Sequence, residues 1–238
     1  MLNRAGVAVQ WRDNQSGCKG VCDGLSNDSV QGLNASGLCH GGQCFDEGLL
    51  HGLERRLADA QASQLLVLHQ LGNHGPSYFR RYPAPFARFV PACNHDDLSQ
   101  CTRQEIVNAY DNALLYTDHV LAQLITQLAA HSEHVDSVLL YVSDHGESLG
   151  EGGLFLHGMP YAIAPDVQTQ VPMLMWLSPG APIGLGLDTA CLRKQAQTAL
   201  SHDNLFHTLL GLFDVRTRLY EPRLDFGAVC RRTDAALS

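Results

Sequence analysis

The sequence predicts an α/β fold, with helices packed around a largely parallel sheet. Three observations lead there. Short continuous apolar runs recur along the chain, as expected of strands buried on both faces. They alternate with helical patterns, one of them very long. The segments joining them are rich in Gly, Pro and Ser, with no internal repeat or low-complexity tract. Alternation of this kind points to strands and crossover helices sharing one core.

The elements follow in order. Gly6 to Trp11 alternates apolar and polar residues and reads as a strand, and a Gly-, Ser-, Asn- and Cys-rich loop runs from Asp13 to about Gln43. Leu49, Leu50, Leu53 and Leu57 set a helical stripe over Glu47 to Ala60, ahead of the buried-strand candidate Leu65-Leu66-Val67-Leu68. Gly72, Pro76, Pro83, Pro85 and Pro91 make the next stretch irregular. Thr102-Arg103-Gln104-Glu105 has the form of a capping box. It opens a helix of about 28 residues with Ile106, Ala109, Ala113, Leu114, Thr117, Val120, Leu121, Leu124 and Leu128 on one stripe. Ser137 to Val142 and Val171 to Leu177 are further strand candidates, and a short helix between Ser201 and Leu212 opens at Ser201 or Asp203.

Composition bounds the function. At 238 residues and 45% apolar content the chain can bury a substantial core in one domain, or at most two. A net charge of −8 is the wrong sign for a duplex-binding protein. No run approaches the roughly 18–20 apolar residues of a membrane span, and Met1 opens no signal peptide.

Six of the eight cysteines fall in close pairs: Cys18 with Cys22, Cys39 with Cys44, and Cys93 with Cys101. Short local loops of this kind read as disulfides of an oxidising compartment, periplasmic or extracellular. Cys191 and Cys230 remain to pair across the C-terminal segment. The rival reading is a loose zinc ribbon built on Cys18-x3-Cys22 and Cys39-x4-Cys44. The sequons at Asn14, Asn27 and Asn34 are read as incidental.

The sharpest chemical feature is Ser143-Asp144-His145-Gly146-Glu147-Ser148-Leu149-Gly150-Glu151, directly after an apolar run. Ligands of open α/β sheets bind beyond the carboxyl ends of strands. A carboxylate beside an imidazole is an oxygen–nitrogen donor pair suited to zinc or manganese, and Gly146 makes the turn inexpensive. The alternative is an Asp capping a loop beside an ordinary surface His. His74 in Gly72-Asn73-His74-Gly75-Pro76 and His157 in Leu156-His157-Gly158 share this Gly-flanked setting. A parallel sheet would bring His74 and the Asp144-His145 pair to one edge. Of the other histidines, His69 reads as a satisfied core residue, and His95, His119, His131 and His134 as surface residues. No nucleophile has a convincing setting: there is no Gly-x-Ser-x-Gly elbow, no sulfatase-type Cys- or Ser-x-Pro-x-Arg and no phosphate-cradling Gly-rich loop. Ser143 reads as a loop cap and Thr102 as a helix cap.

Several stretches together resemble one family. Trp11-Arg12-Asp13-Asn14, Ser16 to Asp23, Leu68 to Pro76, Asn108 to Leu114, Tyr141 to Glu151 and Leu156 to Pro160 are similar to the lipid A phosphoethanolamine transferases, which include the colistin-resistance enzymes of Gram-negative bacteria. The resemblance covers nearly the whole chain. It implies an alkaline-phosphatase/sulfatase-like catalytic domain on the periplasmic face of the inner membrane, anchored by an N-terminal transmembrane domain. It implies zinc, with Asp144 and His145 as ligands. His74 and His157 match histidines contacting the transferred phosphoryl group or a second zinc. Lys19 matches a substrate-pocket base, and Gln15 stands where some relatives carry Asn. Cys39/Cys44 and Cys93/Cys101 also match family disulfides.

The implied reaction moves phosphoethanolamine from phosphatidylethanolamine to a Thr, releasing diacylglycerol, and then to a lipid A phosphate. In the family that Thr and a Glu zinc ligand precede the segment matched here. Residues 1–238 are therefore expected to be a partial catalytic domain, monomeric, lacking the transmembrane domain, the nucleophile and the first part of the sheet, and inactive alone. Two alternatives stand beside this reading: a phosphatase or phosphodiesterase on the same fold, and a non-catalytic, disulfide-stapled periplasmic binding module.

Overall fold

The computed structural model describes residues 1–33, 37–40 and 42–232, so the sequon at Asn34 lies outside them. Strand β1 (Ala8–Asp13) leads into β2 (Ser26–Ser29), the two-residue strands β3 (Cys39–His40) and β4 (Gln43–Cys44), helix α1 (Leu53–Ala58) and β5 (Gln64–His69). Then come α2 (Arg103–Ala130), β6 (Val138–Val142), β7 (Ser148–Leu149), β8 (Phe155–Leu156), α3 (Asp166–Thr169), β9 (Met173–Leu177), α4 (Ala181–Gly184), α5 (Thr189–Gln195) and α6 (Asp203–Leu212).

β2, β1 and β5 form a parallel sheet in that order, with Asp13 opposite His69 at its carboxyl edge. β6 pairs with β9 instead, antiparallel, with Val138 opposite Leu177. The largely parallel sheet is thus a parallel three-stranded unit beside an antiparallel pair, and β5 and β6 are not hydrogen-bonded neighbours.

β2 falls inside the expected loop. Its sequence, Ser-Asn-Asp-Ser, has no apolar alternation; Asp28 holds it in place by accepting from Arg12 at 3.0 Å and from Gln10 at 3.1 Å. The expected helix over 47–60 is also divided. A 3-10 turn covers Asp46–Leu50, and α1 starts only at Leu53, because Gly52 between them adopts a left-handed φ of 70°. Residues other than glycine rarely take that conformation.

α2 carries the core. Its capping box is present on both sides, Thr102 accepting from the Glu105 amide and Glu105 accepting from the Thr102 amide. Ala113, Tyr116, Val120, Leu124 and Leu128 pack with Leu50, Leu53 and Leu57 against Leu66 and Leu68 of β5, Leu139 of β6 and Trp176 of β9. Leu114, placed on the stripe by periodicity, is half exposed. Polar positions take up another part of the buried face: Asn112 accepts from the amides of Arg88 and Phe89 and donates to the Phe89 carbonyl, while Asn108 donates to the Pro91 carbonyl. These side chains tie down the proline-rich stretch, whose backbone has few regular partners of its own.

Every residue of β5 and β6 is half-buried, although runs such as Leu65-Leu66-Val67-Leu68 and Val138-Leu139-Leu140 read as buried on both faces. α2 covers one face only.

All four disulfides are formed: Cys18–Cys22, Cys39–Cys44, Cys93–Cys101 and Cys191–Cys230. That removes the zinc-ribbon reading, since no cysteine is free to ligate. Among the described residues no helix is long and apolar enough to cross a membrane.

Candidate metal centre

Three loops bring His74, His145 and His157 together. His74 follows β5, His145 follows β6, and His157 follows β8 of the small antiparallel hairpin β7–β8. One ring nitrogen from each lies within 4.8 Å of the others. The His145 and His157 rings stack with centroids 3.9 Å apart, and His74 stands edge-on at 4.8 Å from His157 and 5.8 Å from His145.

Each ring is oriented by its Nδ1. That of His74 faces the Gly75 carbonyl at 2.7 Å, that of His145 the Gly146 carbonyl at 3.1 Å, and that of His157 Oε1 of Glu147 at 3.1 Å. All three partners are acceptors, so in the neutral rings Nδ1 carries the hydrogen and Nε2 keeps its lone pair.

Glu147, 7% exposed, joins the loops from behind. Besides His157, it accepts from the Gly75 amide at 3.1 Å and from the Tyr78 hydroxyl at 2.7 Å. Burial and the Glu147 charge push the Tyr78 hydroxyl far above its ordinary value, so it remains a donor. A Cβ at Gly75 would lie 2.5 Å from Leu156 Cδ2 and 2.7 Å from the Tyr78 oxygen, so any side chain there would force Leu156 and Tyr78 to shift. Gly146 is required for closeness as well. Its φ is ordinary, but a Cβ there would meet the Val167 carbonyl at 2.0 Å. The turn argument from sequence therefore gives way to a packing one.

The start of the His74 loop is fixed by Asp46. Its buried carboxylate accepts from Asn14 Nδ2 at 2.7 Å and from the amides of Leu71 and Gly72 at 2.9 and 2.7 Å. Burial raises this carboxyl above its usual range against those three donors. Asn14 is itself buried, which removes its sequon from use.

Of the other expected site residues, Asp144 adjoins the cluster. Asp144 is largely exposed, with Oδ2 3.7 Å from His145 Nε2, and is not one of the three clustered donors. Gln15 donates to the Gln70 carbonyl at 2.8 Å, joining the loops after β1 and β5. Lys19 is exposed in the turn closed by Cys18–Cys22, its Nζ 2.9 Å from Ser16 Oγ. Ser143 caps its loop by donating to the His145 carbonyl. His69 is satisfied by Asp13 at 2.5 Å and contacts Trp11 edge-on. Burial alone would raise the Asp13 carboxyl, but hydrogen bonds from His69, the Gly17 amide and Trp11 outweigh it and hold it below the usual aspartate range.

Glu147, Tyr78 and Asp46 are not singled out by the sequence. Glu147 lies in the Ser143–Glu151 motif, yet one acid among 24 carries no mark of burial. Three imidazoles with an acceptor facing each Nδ1, one of them a carboxylate, match the way proteins hold zinc-type divalent ions. The donor set fits such a metal.

A family model described as Sulfatase matches residues 1–215. The chain is 48% identical over 233 residues to phosphoethanolamine transferase EptA of Escherichia coli (strain K12), covering 98% of this chain and 43% of that protein. It is 43% identical over 232 residues to phosphatidylethanolamine transferase Mcr-1 of Escherichia coli, covering 94% of this chain and 41% of that one. The fold superposes on the soluble domain of lipooligosaccharide phosphoethanolamine transferase A from Neisseria meningitidis with a TM-score of 0.92 at 43% identity, over 98% of this chain and 70% of that one. The chain spans less than half the length of these curated relatives.

Proposed function

As the chain belongs to the sulfatase family, we propose that it supplies the histidine-bearing half of a phosphoethanolamine transferase site that takes phosphatidylethanolamine as donor and a lipid A phosphate as acceptor. The observation that carries this reading is the convergence of His74, His145 and His157 in front of the buried Glu147. The transferase names of the relatives support it at 48% and 43% identity. Four disulfides are in keeping with a periplasmic location, and membrane attachment is assigned to the part of the relatives that these residues do not cover.

Zinc is the proposed metal, with His145 and Asp144 as ligands and His74 and His157 as either further ligands or phosphoryl contacts. A bound zinc ion would neutralise charge on the phosphoryl oxygens and lower the pKa of a coordinated hydroxyl. The chain's own residues set the stage for that. Gly75, Gly146 and Glu147 hold the three Nδ1 hydrogens, leaving each Nε2 with a lone pair for a metal. The Glu147 carboxylate makes His157 a stronger donor. In the transfer, a Thr hydroxyl from outside these residues gives up its proton as its oxygen bonds to phosphorus and the bond to the diacylglycerol oxygen breaks, and that leaving oxygen takes a proton. A lipid A phosphate oxygen then attacks the same phosphorus, and the Thr oxygen leaves and regains a proton.

The test is in the full-length protein, reconstituted with phosphatidylethanolamine and lipid A and followed by mass spectrometry. Phosphoethanolamine-modified lipid A, lost in His145→Ala, is the expected result. Unmodified lipid A with metal-loaded, folded protein would overturn the proposal. The family match itself gives the hydrolase reading its footing; release of free phosphoethanolamine without transfer would select it.

A further inference from the structure

We propose that Gln168 is a positioning residue for the three-histidine centre, its buried amide strapping the His145 loop to the His157 loop. Gln168 lies in α3, a single turn on an otherwise irregular return to β9, and is 5% exposed. Its Nε2 donates to Ser148 Oγ at 2.8 Å and to the Leu156 carbonyl at 3.1 Å, and its Oε1 accepts from the Met159 amide at 3.4 Å. Its main-chain carbonyl accepts from the Gly146 amide at 3.0 Å. Three of these contacts land on both sides of His157 and on the residue next to His145, and the fourth on Ser148, next to Glu147.

Three features make this more than a buried amide finding partners. Leu156 has a left-handed φ of 63°, uncommon for a leucine. Such a conformation persists only where its surroundings over-determine it, and Gln168 grips the Leu156 carbonyl directly. Gly146 is confined by the same segment, since a Cβ there would strike the Val167 carbonyl. Finally, Ser148 Oγ places the strap beside Glu147, the carboxylate that orients His157. Loosening the amide frees Leu156 and Met159 together, and His157 with them. The Gln168 side chain is hydrogen-bonded to Ser148, Leu156 and Met159 and not to the rings, so it acts through the loops and not on the reacting atoms.

The inference rests on the metal reading of the site, and the test separates the two. Gln168→Met keeps length and packing while removing every side-chain hydrogen bond. Gln168→Glu keeps the acceptor for Met159 but sets an oxygen against the Leu156 carbonyl. Both are compared with the unaltered chain by Co(II) affinity, by the visible absorption of bound Co(II), and by long-range nitrogen–proton spectra of the imidazoles without metal. Expected is a loss of Co(II) affinity of about tenfold or more with a shifted visible band. In the metal-free variants, His145 and His157 resonances move, while those of His69, held by Asp13, and of His207 in α6, whose Nδ1 accepts from the Glu221 amide, stay. A merely structural role would lower thermal stability without this selectivity. Wild-type affinity, band and imidazole resonances in a folded variant would overturn the inference. If the unaltered chain shows no His145-dependent Co(II) binding, the metal reading fails, and the imidazole spectra still decide the role of Gln168. If Gln168→Met does not fold, Gln168→Glu carries the same comparisons.

Discussion

Replacing Glu147 tests the centre most directly, because one carboxylate serves both packing and chemistry. Glu147→Ala removes the acceptor for the Gly75 amide, the Tyr78 hydroxyl and His157 Nδ1. The first two are buried and would be left without a partner, at about 1–3 kcal/mol each. His157 is about a third exposed, so water can replace its partner at little cost. The expected destabilisation is about 2–6 kcal/mol, or roughly 4–24 °C in melting temperature for a chain of this size. Glu147→Gln behaves differently. Its amide oxygen can keep the Gly75 and His157 contacts, and the Tyr78 hydroxyl can turn to accept from the new NH2 group. Stability should then change by about 1 kcal/mol or less, while the lost charge behind His157 weakens zinc or Co(II) binding by about tenfold to a hundredfold. The assays are thermal unfolding followed by near-ultraviolet dichroism, and metal titration against a chelator. Equal melting temperatures for Glu147→Ala and the unaltered chain would refute the buried network. Undiminished metal affinity in a folded Glu147→Gln would refute the orienting role of the charge.

Gly75→Ala forces a methyl into Leu156 and Tyr78, so a loss of about 1–3 kcal/mol together with weakened Co(II) binding is expected; retention of both would show that the loop can shift freely. The Cys191–Cys230 bridge spans 39 residues, and loop-closure entropy gives it about 4 kcal/mol, so the double Ser variant should melt well below the parent under non-reducing conditions. Acid should destabilise the fold. Asp13 and the α5 cap Asp188 have carboxyls held below the usual 3.8, and the α2 cap Glu105 below the usual 4.5. Their contribution is present above those unfolded values and is lost as pH falls through the lower folded ones, giving reduced stability below about pH 4. Asp46, raised by burial, acts in the opposite sense, and a melting temperature that climbed on acidification through this window would mean that it dominates.

What the sequence made legible is what local pattern encodes. α2 emerges with its cap because Thr102 and Glu105 act within one turn and the stripe repeats every three to four residues. The disulfides emerge because three of the pairs close short loops. The apolar runs name β5, β6 and β9, but not their partners: strand pairing is settled by contacts distant in sequence, so the antiparallel β6–β9 ladder was not foreseen. β2 was invisible because its side chains hold it by charge and not by burial. The site shows the same division. Its histidines stand out, since Gly-flanked His after an apolar run is uncommon, and all three meet. The groups that aim them do not stand out. Glu147 and Gln168 are polar residues whose role comes from burial between loops: Glu147 reaches Gly75 across 72 residues, and Gln168 reaches Ser148 across 20. Asp144 is marked in the sequence by its adjacency to His145, and in the structure its largely exposed carboxylate lies 3.7 Å from the imidazole it was paired with. Two donors each about 2.0–2.1 Å from a tetrahedral ion lie about 3.4 Å apart, so Asp144 Oδ2 and His145 Nε2 can meet one zinc with little movement. An Asp144→Asn variant should accordingly lose Co(II) affinity, as His145→Ala does; undiminished affinity in the folded variant would remove Asp144 from the ligand set.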